Sequence, residues 1–463
     1  MLIKSKRVFS LLICILFITS TLSGCSSYSD VSAKRSVIAN ADEKLIDEES
    51  LIGIVQELSS EKYAGRMAGT KGNEAAALYI AGLFKKIDLI NPEGLDNYMQ
   101  RYPQTVITLK DLPKLSISSD GDKTSKEFKY VDNFVIRSLS SKTYDINIDA
   151  PLYLIEDLKE INAENQEIRG KLLLISWELR FNRTLNEILE LLNSSGAAGA
   201  LGGRDALAVT PMLGSWLEGE HYPFIDVDND TFAELVSAYG KGRKASFHCS
   251  FMREDNKKVP NVVGLLPGTD EKLKDQYIII GAHFDHVGQN MDGSFNPGGL
   301  DNASGVAAML EIARVLKENK TAPSKPVLFI AFNGEEGGLL GSEYYAEHPI
   351  YPIDNSVMIC MDMVGSSEKL PLMIKGVGGR DLNLRNLMHG LCKKLGIDAV
   401  KEIGYGSDHE SFAYRGLNSV MLINEDFNNG YHSPEDTSED VDKVRLEEVV
   451  KLVLYYIDKN AYN

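Results

Sequence analysis

Residues 278–286 of the chain read Ile-Ile-Ile-Gly-Ala-His-Phe-Asp-His. The run is fully apolar from Tyr277 to Ile280, which is typical of a strand that is buried on both faces of a sheet. It leads directly into His283 and Asp285, side chains that can ligate a metal or orient a ligand. The stretch therefore predicts a core strand with functional residues at its carboxyl end.

An apolar strand followed by side chains that can ligate a metal is predicted at two further places along the chain. The apolar run at 327–332 is followed by Glu335 and Glu336, and the run at 357–361 is followed by Asp362. Because ligands of parallel sheets bind beyond the carboxyl ends of the strands, we expect these acidic side chains to lie close to the first pair.

Helical patterns alternate with these strands, which favours an α/β fold. We expect a mixed, mainly parallel central sheet that is covered by helices on both faces. Helices are predicted at 73–86, 304–316, 339–347, 382–395 and 446–456, after a helical pattern that begins at 47, and a further strand is predicted at 420–423.

Residues 106–256 have a different pattern of predicted secondary structure from the rest of the chain. Short β-rich runs occur at 151–155, 171–175, 196–201 and 245–251, with a helical pattern near 185–192. We therefore predict a smaller β-rich α+β domain at 106–256, inserted into a discontinuous main domain that comprises 46–105 and 257–463.

The net charge argues against nucleic acid as a partner. The 463 residues include 49 Lys and Arg and 66 Asp and Glu, which gives a formal net charge of −17. The first 24 residues hold three basic groups and no acid, so the remainder has 46 basic and 66 acidic residues, or −20. Because nonspecific binding to nucleic acid depends on neutralising phosphates, a DNA- or RNA-binding role is not expected.

The amino terminus has the pattern of a signal peptide. Three basic residues within the first seven precede an apolar run at 8–18, which is short for a membrane span. The run leads to Leu-Ser-Gly-Cys at 22–25, which resembles the lipobox of bacterial lipoproteins. We predict a signal peptide at 1–24, a flexible tether at 25–45 and an extracytoplasmic protein anchored to the membrane through lipid on Cys25. An uncleaved anchor and a plain secretory signal also stay open.

Five side chains at strand ends, or in the loops beyond them, could together form a metal centre. Two divalent ions about 3.5–4 Å apart need one bridging carboxylate and about two further protein ligands each. Imidazole and carboxylate donors suit Zn²⁺, with Co²⁺ or Mn²⁺ as substitutes, and the separated cysteines of the mature chain predict neither a disulfide framework nor a thiolate site. The five candidates are His283, Asp301, Glu336, Asp362 and His432.

The motifs that contain these residues resemble those of a known family. In this order they resemble the co-catalytic zinc exopeptidases, which include bacterial secreted aminopeptidases, glutamate carboxypeptidases and the transferrin receptor. Residues 106–256 are similar, less closely, to the protease-associated domain that is inserted in many members. The motifs are Gly-Ala-His-Phe-Asp-His from Gly281, Gly-Leu-Asp-Asn-Ala-Ser-Gly from Gly299, Asn-Gly-Glu-Glu from Asn333, Met-Asp-Met-Val-Gly from Met361 and Tyr-His-Ser-Pro-Glu-Asp-Thr from Tyr431.

The resemblance implies two zinc ions per chain. His283 and Asp362 would bind one ion, Glu336 and His432 would bind the other, and Asp301 would bridge them.

The resemblance also implies three catalytic or supporting roles. Glu335 would be the general base that takes a proton from a metal-bridging water or hydroxide. Asp285 would orient the imidazole of His283, and Tyr431 would stabilise the tetrahedral oxyanion, although a tyrosine packed at a pocket rim is the ordinary alternative.

The favoured reaction is hydrolysis of the N-terminal peptide bond of a peptide with a free amine, because the residues near the predicted site are mostly acidic. A carboxypeptidase would need an arginine cluster for the substrate carboxylate, and only Arg415 occurs around Asp362 and Asp408. Two further hypotheses stay open, a glutaminyl cyclase-like transferase and a non-catalytic peptide-binding lipoprotein.

Four further residues belong to none of the predicted ligand or catalytic sets. His286 is interpreted as the source of a strand-end hydrogen bond rather than as a pocket residue, and Arg66 as the residue that fixes its own loop. For Asp408 and His409, a supporting role at the site and a structural role both stay open.

Overall fold

The computed structural model describes residues 45–118, 125–138, 145–207, 223–290, 294–319, 321–428 and 430–462. These residues belong to one compact unit that spans Ser36–Asn463. The predicted signal peptide and Cys25 lie outside the described residues, as does almost all of the predicted tether. Within the described part of the chain, no helix combines the length and the apolar character that crossing a membrane requires.

Helices occur throughout the described residues, and five of the ten α-helices named below begin at a polar side chain that caps the first turn. Asp47 accepts a hydrogen bond from the backbone of Ser50, and Thr70 accepts one from Asn73. The helices are α1 (Glu48–Leu58), α2 (Lys71–Ile87), α3 (Trp177–Arg180), α4 (Leu185–Ser195), α5 (Asn229–Gly240), α6 (Ser304–Glu318), α7 (Leu340–Glu347), α8 (Leu382–Leu395), α9 (His409–Tyr414) and α10 (Lys443–Ala461).

The strands alternate with helices from Ile278 onward, and they include one unusually long member of 23 residues. They are β1 (Met99–Leu109), β2 (Lys114–Ile117), β3 (Lys126–Phe128), β4 (Phe134–Ser138), β5 (Asp145–Leu154), β6 (Leu172–Ile175), β7 (Gly199–Arg204), β8 (Phe224–Asp228), β9 (Lys244–Leu266), β10 (Ile278–His283), β11 (Val327–Phe332), β12 (Val357–Met361), β13 (Leu372–Gly376), β14 (Ala399–Ile403) and β15 (Asn418–Ile423).

The strands from β9 onward form the part of the sheet that carries the predicted site. Their order is β14-β13-β15-β12-β10-β11-β9. The central strands β15, β12, β10 and β11 are parallel, whereas β9 and β13 pair antiparallel with β11 and β15. Helices α1, α2, α6, α8 and α10 pack as one group, and α7 packs with α9. The predicted mixed, mainly parallel α/β fold is confirmed.

The region 106–256 adds a second set of strands to the same sheet. Strands β5, β6, β7 and β8 are parallel to one another, and β4 pairs antiparallel with β8. The apolar side chains of this region form two clusters within 107–251, whereas the largest cluster draws on 51–99 and 262–462. The region whose sequence pattern differs therefore also has its own hydrophobic clusters, separate from the largest cluster.

The predicted domain boundaries fall inside strands rather than in linkers. Strand β1 runs through 105–106, and β9 runs through 256–257. The two strands pair antiparallel from Met99 with Val262 to Leu109 with Phe251. A two-stranded ribbon thus joins the two regions.

Candidate metal centre

Three parallel strands bring the predicted site residues to one edge of the sheet. Strand β10 lies between β11 and β12, with Ile278 opposite the first residue of each neighbour. His283 is the last residue of β10, Glu335 lies three residues beyond β11, and Asp362 directly follows β12. Because parallel strands end at the same edge, these side chains converge there.

One group of donors comprises His283, Asp301 and Asp362, and we call it the His283 subsite. The imidazole Nε2 of His283 lies 3.4 Å from Oδ1 of Asp301 and 3.3 Å from Oδ1 of Asp362. All three residues are buried.

A second group comprises His286, Asp301, Glu336 and His432, and we call it the His432 subsite. Nε2 of His432 lies 3.1 Å from Oδ2 of Asp301 and 3.0 Å from Oε2 of Glu336. Nδ1 of His286 lies 2.9 Å from Oε1 of Glu336 and 3.6 Å from Oδ2 of Asp301. Asp301 therefore presents a different carboxylate oxygen to each subsite.

Both subsites suit zinc in donor type and in spacing. Nitrogen and oxygen ligands lie about 2.0–2.1 Å from zinc, so two ligand atoms of a tetrahedral site are about 3.3–3.4 Å apart. The pairs above are separated by 2.9–3.6 Å. A carboxylate shared through its two oxygens is the arrangement that co-catalytic metal pairs use. All five ligands predicted from the sequence lie in these subsites, while their individual roles stay predictions.

The backbone around Asp301 is fixed by a second acidic residue. Asp436 is buried and accepts hydrogen bonds from the backbone N–H groups of Leu300, at 2.7 Å, and Asp301, at 3.1 Å. Burial raises the pKa of Asp436 to about 7, and the neighbouring Asp301 adds to the rise. Asp436 belongs to the motif that begins at Tyr431, so the sequence brings a ligand and a support for another ligand in one stretch.

A glycine allows the Asp301 loop to approach the end of β12. A Cβ atom at Gly305 would lie 2.4 Å from the carbonyl oxygen of Met361. At the same place the side chain of Asn302 donates a hydrogen bond to that carbonyl and accepts one from the N–H of Gly305. The close contact places Asp301 beside Asp362.

Asp285 has a different set of contacts from those predicted. Its carboxylate accepts hydrogen bonds from the backbone N–H groups of Glu335, at 3.2 Å, and Glu336, at 3.3 Å. It lies 3.8 Å from Nδ1 of His283, and its backbone carbonyl oxygen is nearer to that atom, at 3.3 Å. The turn at Gly334, where φ is 73°, directs both N–H groups toward Asp285. Asp285 therefore fixes the segment that carries the two glutamates, in addition to its contact with the imidazole.

Glu335 belongs to neither donor group, although it precedes Glu336 directly. Burial raises its pKa well above the usual range; His283 opposes this rise, whereas Glu336 and Asp362 add to it. A raised pKa indicates a carboxylate that holds a proton readily, as a general base must. Its position is consistent with the predicted proton-transfer role.

The predicted ligands have strongly shifted pKa values because they are buried close to one another. Burial lowers the pKa of His283, but Glu335 and Asp362 raise it well above the usual range. Burial likewise lowers the pKa of His432, but Glu336 raises it to about 10. Burial raises the pKa of Glu336, but His432 lowers it to about 2. The two imidazoles thus hold protons at neutral pH that a metal ion would displace.

Tyr431 lies at the rim of the His432 subsite. Its ring stacks on the ring of His432 with centroids 3.8 Å apart and contacts Phe427 edge-on at 5.0 Å. The side chain is 37% exposed, so its phenol can reach a ligand from the solvent side. Burial raises its pKa, and Asp301 and Glu336 raise it further, so the phenol keeps its proton. Its predicted oxyanion role stays a prediction.

Arg66 stabilises the loops that carry the site residues. The guanidinium is fully buried and donates hydrogen bonds to four backbone carbonyls, of Leu58, Phe284, Pro297 and Gly298, at 2.6–2.9 Å, and a longer one to the carbonyl of Asp301, at 3.5 Å. It therefore joins the loop after β10 to the loop that leads to Asp301.

Two contributors to the site could not be recognised by residue type alone. The sequence predicts only a strand-end hydrogen bond for His286, but this residue lies against Glu336 within the His432 subsite. Asp436 carries no ligand pattern of its own and is marked only by its place in the motif from Tyr431. The available signal was proximity in sequence, because each lies three or four residues from a predicted ligand.

Known proteins resemble the chain in sequence and in fold. Residues 261–457 match the profile of peptidase family M28. The chain is 29% identical over 409 residues to aminopeptidase YwaD of Bacillus subtilis, which covers 85% of this chain and 81% of the relative. The crystal structure of an aminopeptidase from Aneurinibacillus sp. strain AM-1 superposes with a TM-score of 0.68 at 22% identity and covers 93% of this chain and 96% of its own.

A second solved structure shares the fold to the same extent. The zinc aminopeptidase BSAP from Bacillus subtilis has a TM-score of 0.67 at 24% identity, over 90% of this chain and 96% of its own. These likenesses agree with the mixed α/β architecture described above. The prediction of a metallopeptidase is confirmed by the sequence match. Residues 261–457, which carry every member of both subsites, match peptidase family M28 in sequence.

Proposed function

We propose that the protein is a zinc-dependent aminopeptidase that removes the N-terminal residue of peptides and binds two zinc ions per chain. The observation that carries the proposal is the pair of subsites that share Asp301, together with the buried Glu335, which belongs to neither but interacts electrostatically with His283 and Glu336. The similarity to a Bacillus subtilis aminopeptidase over most of both chains supports the choice among exopeptidases.

The residues of the chain have separable tasks in this reaction. Zinc bound in the subsites would polarise the scissile carbonyl and lower the pKa of the attacking water. Glu335 takes the proton from that water and delivers it to the leaving amine. Asp285 holds the backbone of Glu335 in place through the hydrogen bond at 3.2 Å. Tyr431, at the rim, donates its phenolic proton toward the developing oxyanion.

The charges around the site favour a cationic N-terminus over a carboxylate. The cationic side chains predicted or found near the site are already engaged: Arg66 binds backbone carbonyls, and Arg415 pairs with Glu347 at 2.8 Å on the surface. A carboxypeptidase would need free guanidinium donors for the substrate carboxylate. Aminopeptidase activity is therefore preferred over carboxypeptidase activity.

A cyclase and a non-catalytic binding protein receive less support. A glutaminyl cyclase-like enzyme would use a single zinc, whereas both donor groups are complete here. A non-catalytic peptide-binding lipoprotein would not need Glu335 together with two intact subsites.

We also propose that the protein is a bacterial lipoprotein anchored outside the cytoplasm through Cys25, on the strength of the sequence pattern at 1–25. Residues 106–256 are proposed to be a protease-associated-like inserted domain, which their separate apolar clusters support. The ribbon of β1 and β9 would join it to the peptidase domain.

The proposed reaction is tested with matched chromogenic substrates. An aminoacyl p-nitroanilide with a free amine, its N-acetylated counterpart and a C-terminally free, N-blocked dipeptide are offered to the full mature chain with zinc. Hydrolysis confined to the free-amine substrate and abolished by a chelator supports the proposal. Turnover of the N-blocked dipeptide at a comparable rate would instead indicate a carboxypeptidase, and turnover of none would reject an exopeptidase.

A further inference from the structure

His286 is a buried imidazole at the metal centre that the proposed reaction does not use. It follows His283 by three residues, is 0% exposed and packs edge-on against the ring of His432, with centroids 5.5 Å apart. Its Nδ1 faces the His432 subsite, 2.9 Å from Oε1 of Glu336. It could therefore be a further metal ligand or a residue that acts through Glu336.

The contacts of the two imidazoles with Glu336 differ in kind. Nδ1 of His286 meets Oε1 in hydrogen-bond geometry at 2.9 Å, an ordinary N–H···O distance. Nε2 of His432 is as close to Oε2, at 3.0 Å, and lies 3.1 Å from Oδ2 of Asp301, but it points between the two oxygens and meets neither in hydrogen-bond geometry. A ring nitrogen that points between two carboxylate oxygens can ligate a metal ion once its proton is displaced, whereas Nδ1 of His286 points at one oxygen, as a hydrogen-bond donor does.

The far side of the His286 ring supports the same distinction. Its Nε2 is buried and has no hydrogen-bond partner among the described residues. If Nδ1 were a metal ligand, Nε2 would carry the proton, and ligating imidazoles almost always donate that proton to a neighbour. If Nδ1 carries the proton, Nε2 is only a lone pair, which costs less to leave unpaired in a buried place than an N–H group does.

We propose that His286 is a positioning residue that donates its Nδ1 proton to Oε1 of Glu336, so that only Oε2 faces the metal shared with His432 and Asp301. The hydrogen bond would hold the carboxylate of Glu336 in one orientation, in which Oε2 is the oxygen nearest to His432. The inference rests on the metal centre of the proposed function but not on its substrate.

Two substitutions separate a donor from a ligand. In His286→Asn the side-chain amide nitrogen takes nearly the place of Nδ1 and can donate to Glu336, but it is a poor zinc ligand. In His286→Leu both abilities are lost at similar volume. His348→Leu, a change at an exposed histidine outside both subsites, is the matched control.

The readout is metal affinity rather than activity. Metal-free full mature chain is titrated with Co²⁺ in competition with a chelating dye, and the two binding steps are resolved. We expect His286→Leu to weaken one step by 10- to 100-fold, the range for loss of a group that orients a ligand. His286→Asn should stay within about threefold of the wild type at both steps, as should the control.

Two results would overturn the proposal. Equal, large losses in His286→Asn and His286→Leu would make His286 a ligand, and unchanged affinity in both would leave it no role at the metal. If His286→Leu does not fold, His286→Gln takes its place, because its amide nitrogen lies near the position of Nε2 rather than Nδ1. Wild-type protein that binds two metal ions but hydrolyses no peptide would reject the proposed function without affecting this comparison.

Discussion

Replacing Glu335 with Gln should remove the proton acceptor while leaving the metal centre intact. The change keeps the size of the side chain, and Glu335 is in neither donor group. Loss of a general base lowers kcat by about 10²- to 10⁴-fold, which corresponds to roughly 2.7–5.5 kcal/mol of transition-state stabilisation. KM should change little, because the carboxylate acts mainly in the transition state.

Glu336→Gln should lower metal binding first and activity as a consequence, unlike Glu335→Gln. Glu336 contributes Oε2 at 3.0 Å from Nε2 of His432, so its replacement removes a charged ligand atom. Metal occupancy should fall first, and activity should follow and recover in part with added zinc. Glu343→Gln, at an exposed glutamate in the first turn of α7, is the matched control and should change neither quantity.

The assay measures bound zinc and steady-state kinetics on the same purified samples. Loss of zinc in Glu335→Gln with full retention in Glu336→Gln would show that the two roles are exchanged. Wild-type turnover in both variants would place the catalytic site elsewhere and refute the reasoning.

Three further outcomes are expected. Arg66→Met should lower the free energy of unfolding by roughly 4 kcal/mol, at about 1 kcal/mol for each of four buried hydrogen bonds lost. Arg101→Met, which breaks an exposed ion pair, should cost less than about 1 kcal/mol when both are measured by urea unfolding. Metal-free protein should release protons when it binds metal at pH 7, one each from His283 and His432 and more where Glu335 also holds one, because all three groups have raised pKa values. Metal affinity should therefore rise with pH up to about 10, the pKa of His432 in the folded chain, while the stability that protonated His432 gives the metal-free chain is complete below its usual pKa of about 6.5 and is lost as the pH rises from there to about 10. Calorimetry in buffers of different ionisation enthalpy measures the released protons, and a release near zero would contradict the assignment. Cys25→Ser should release the protein from membranes without loss of peptidase activity, as fractionation would show, and a wholly soluble wild type would reject the anchor.

The parts of the fold that the sequence predicted best are those with one dominant signal. The buried strands β11 and β12 and the helix α8 begin and end at the predicted residues, because an uninterrupted apolar run or an amphipathic repeat with a C-terminal glycine defines each. Strand β10 extends three residues beyond its predicted end, to His283. A Cβ atom at Gly281 would lie 2.5 Å from the ring of Phe332, so the glycine continues the strand where the pattern suggested a break.

Elements that depend on tertiary contacts were missed or displaced. Strand β14 lies at the edge of the sheet and is largely exposed, so it has no apolar run to mark it. Strand β7 begins at Gly199 rather than at 196, because Gly196 adopts a φ of 73° and ends helix α4. The inserted region was predicted from a change in the pattern of secondary structure along the sequence. In the structure, β1 and β9 run through both predicted boundaries.

At the site, residue types were predictable and contacts were not. Histidine and carboxylates after buried strands identify candidate ligands, and parallel pairing brings them together. The sequence could not show that Asp285 binds the backbone of Glu335, since that depends on the turn at Gly334. It also could not show that His286 faces Glu336, since a loop of three residues can direct a side chain to either side.

The most direct test of the proposed centre is a zinc titration of the metal-free chain in which bound metal and aminopeptidase activity are measured together. Two subsites that share Asp301 predict that activity reaches its maximum only as the second equivalent of zinc binds. Asp301→Asn should weaken both binding steps, because each subsite uses one of its oxygens. Full activity with one tightly bound equivalent, or loss of only one step in Asp301→Asn, would contradict a shared two-metal centre.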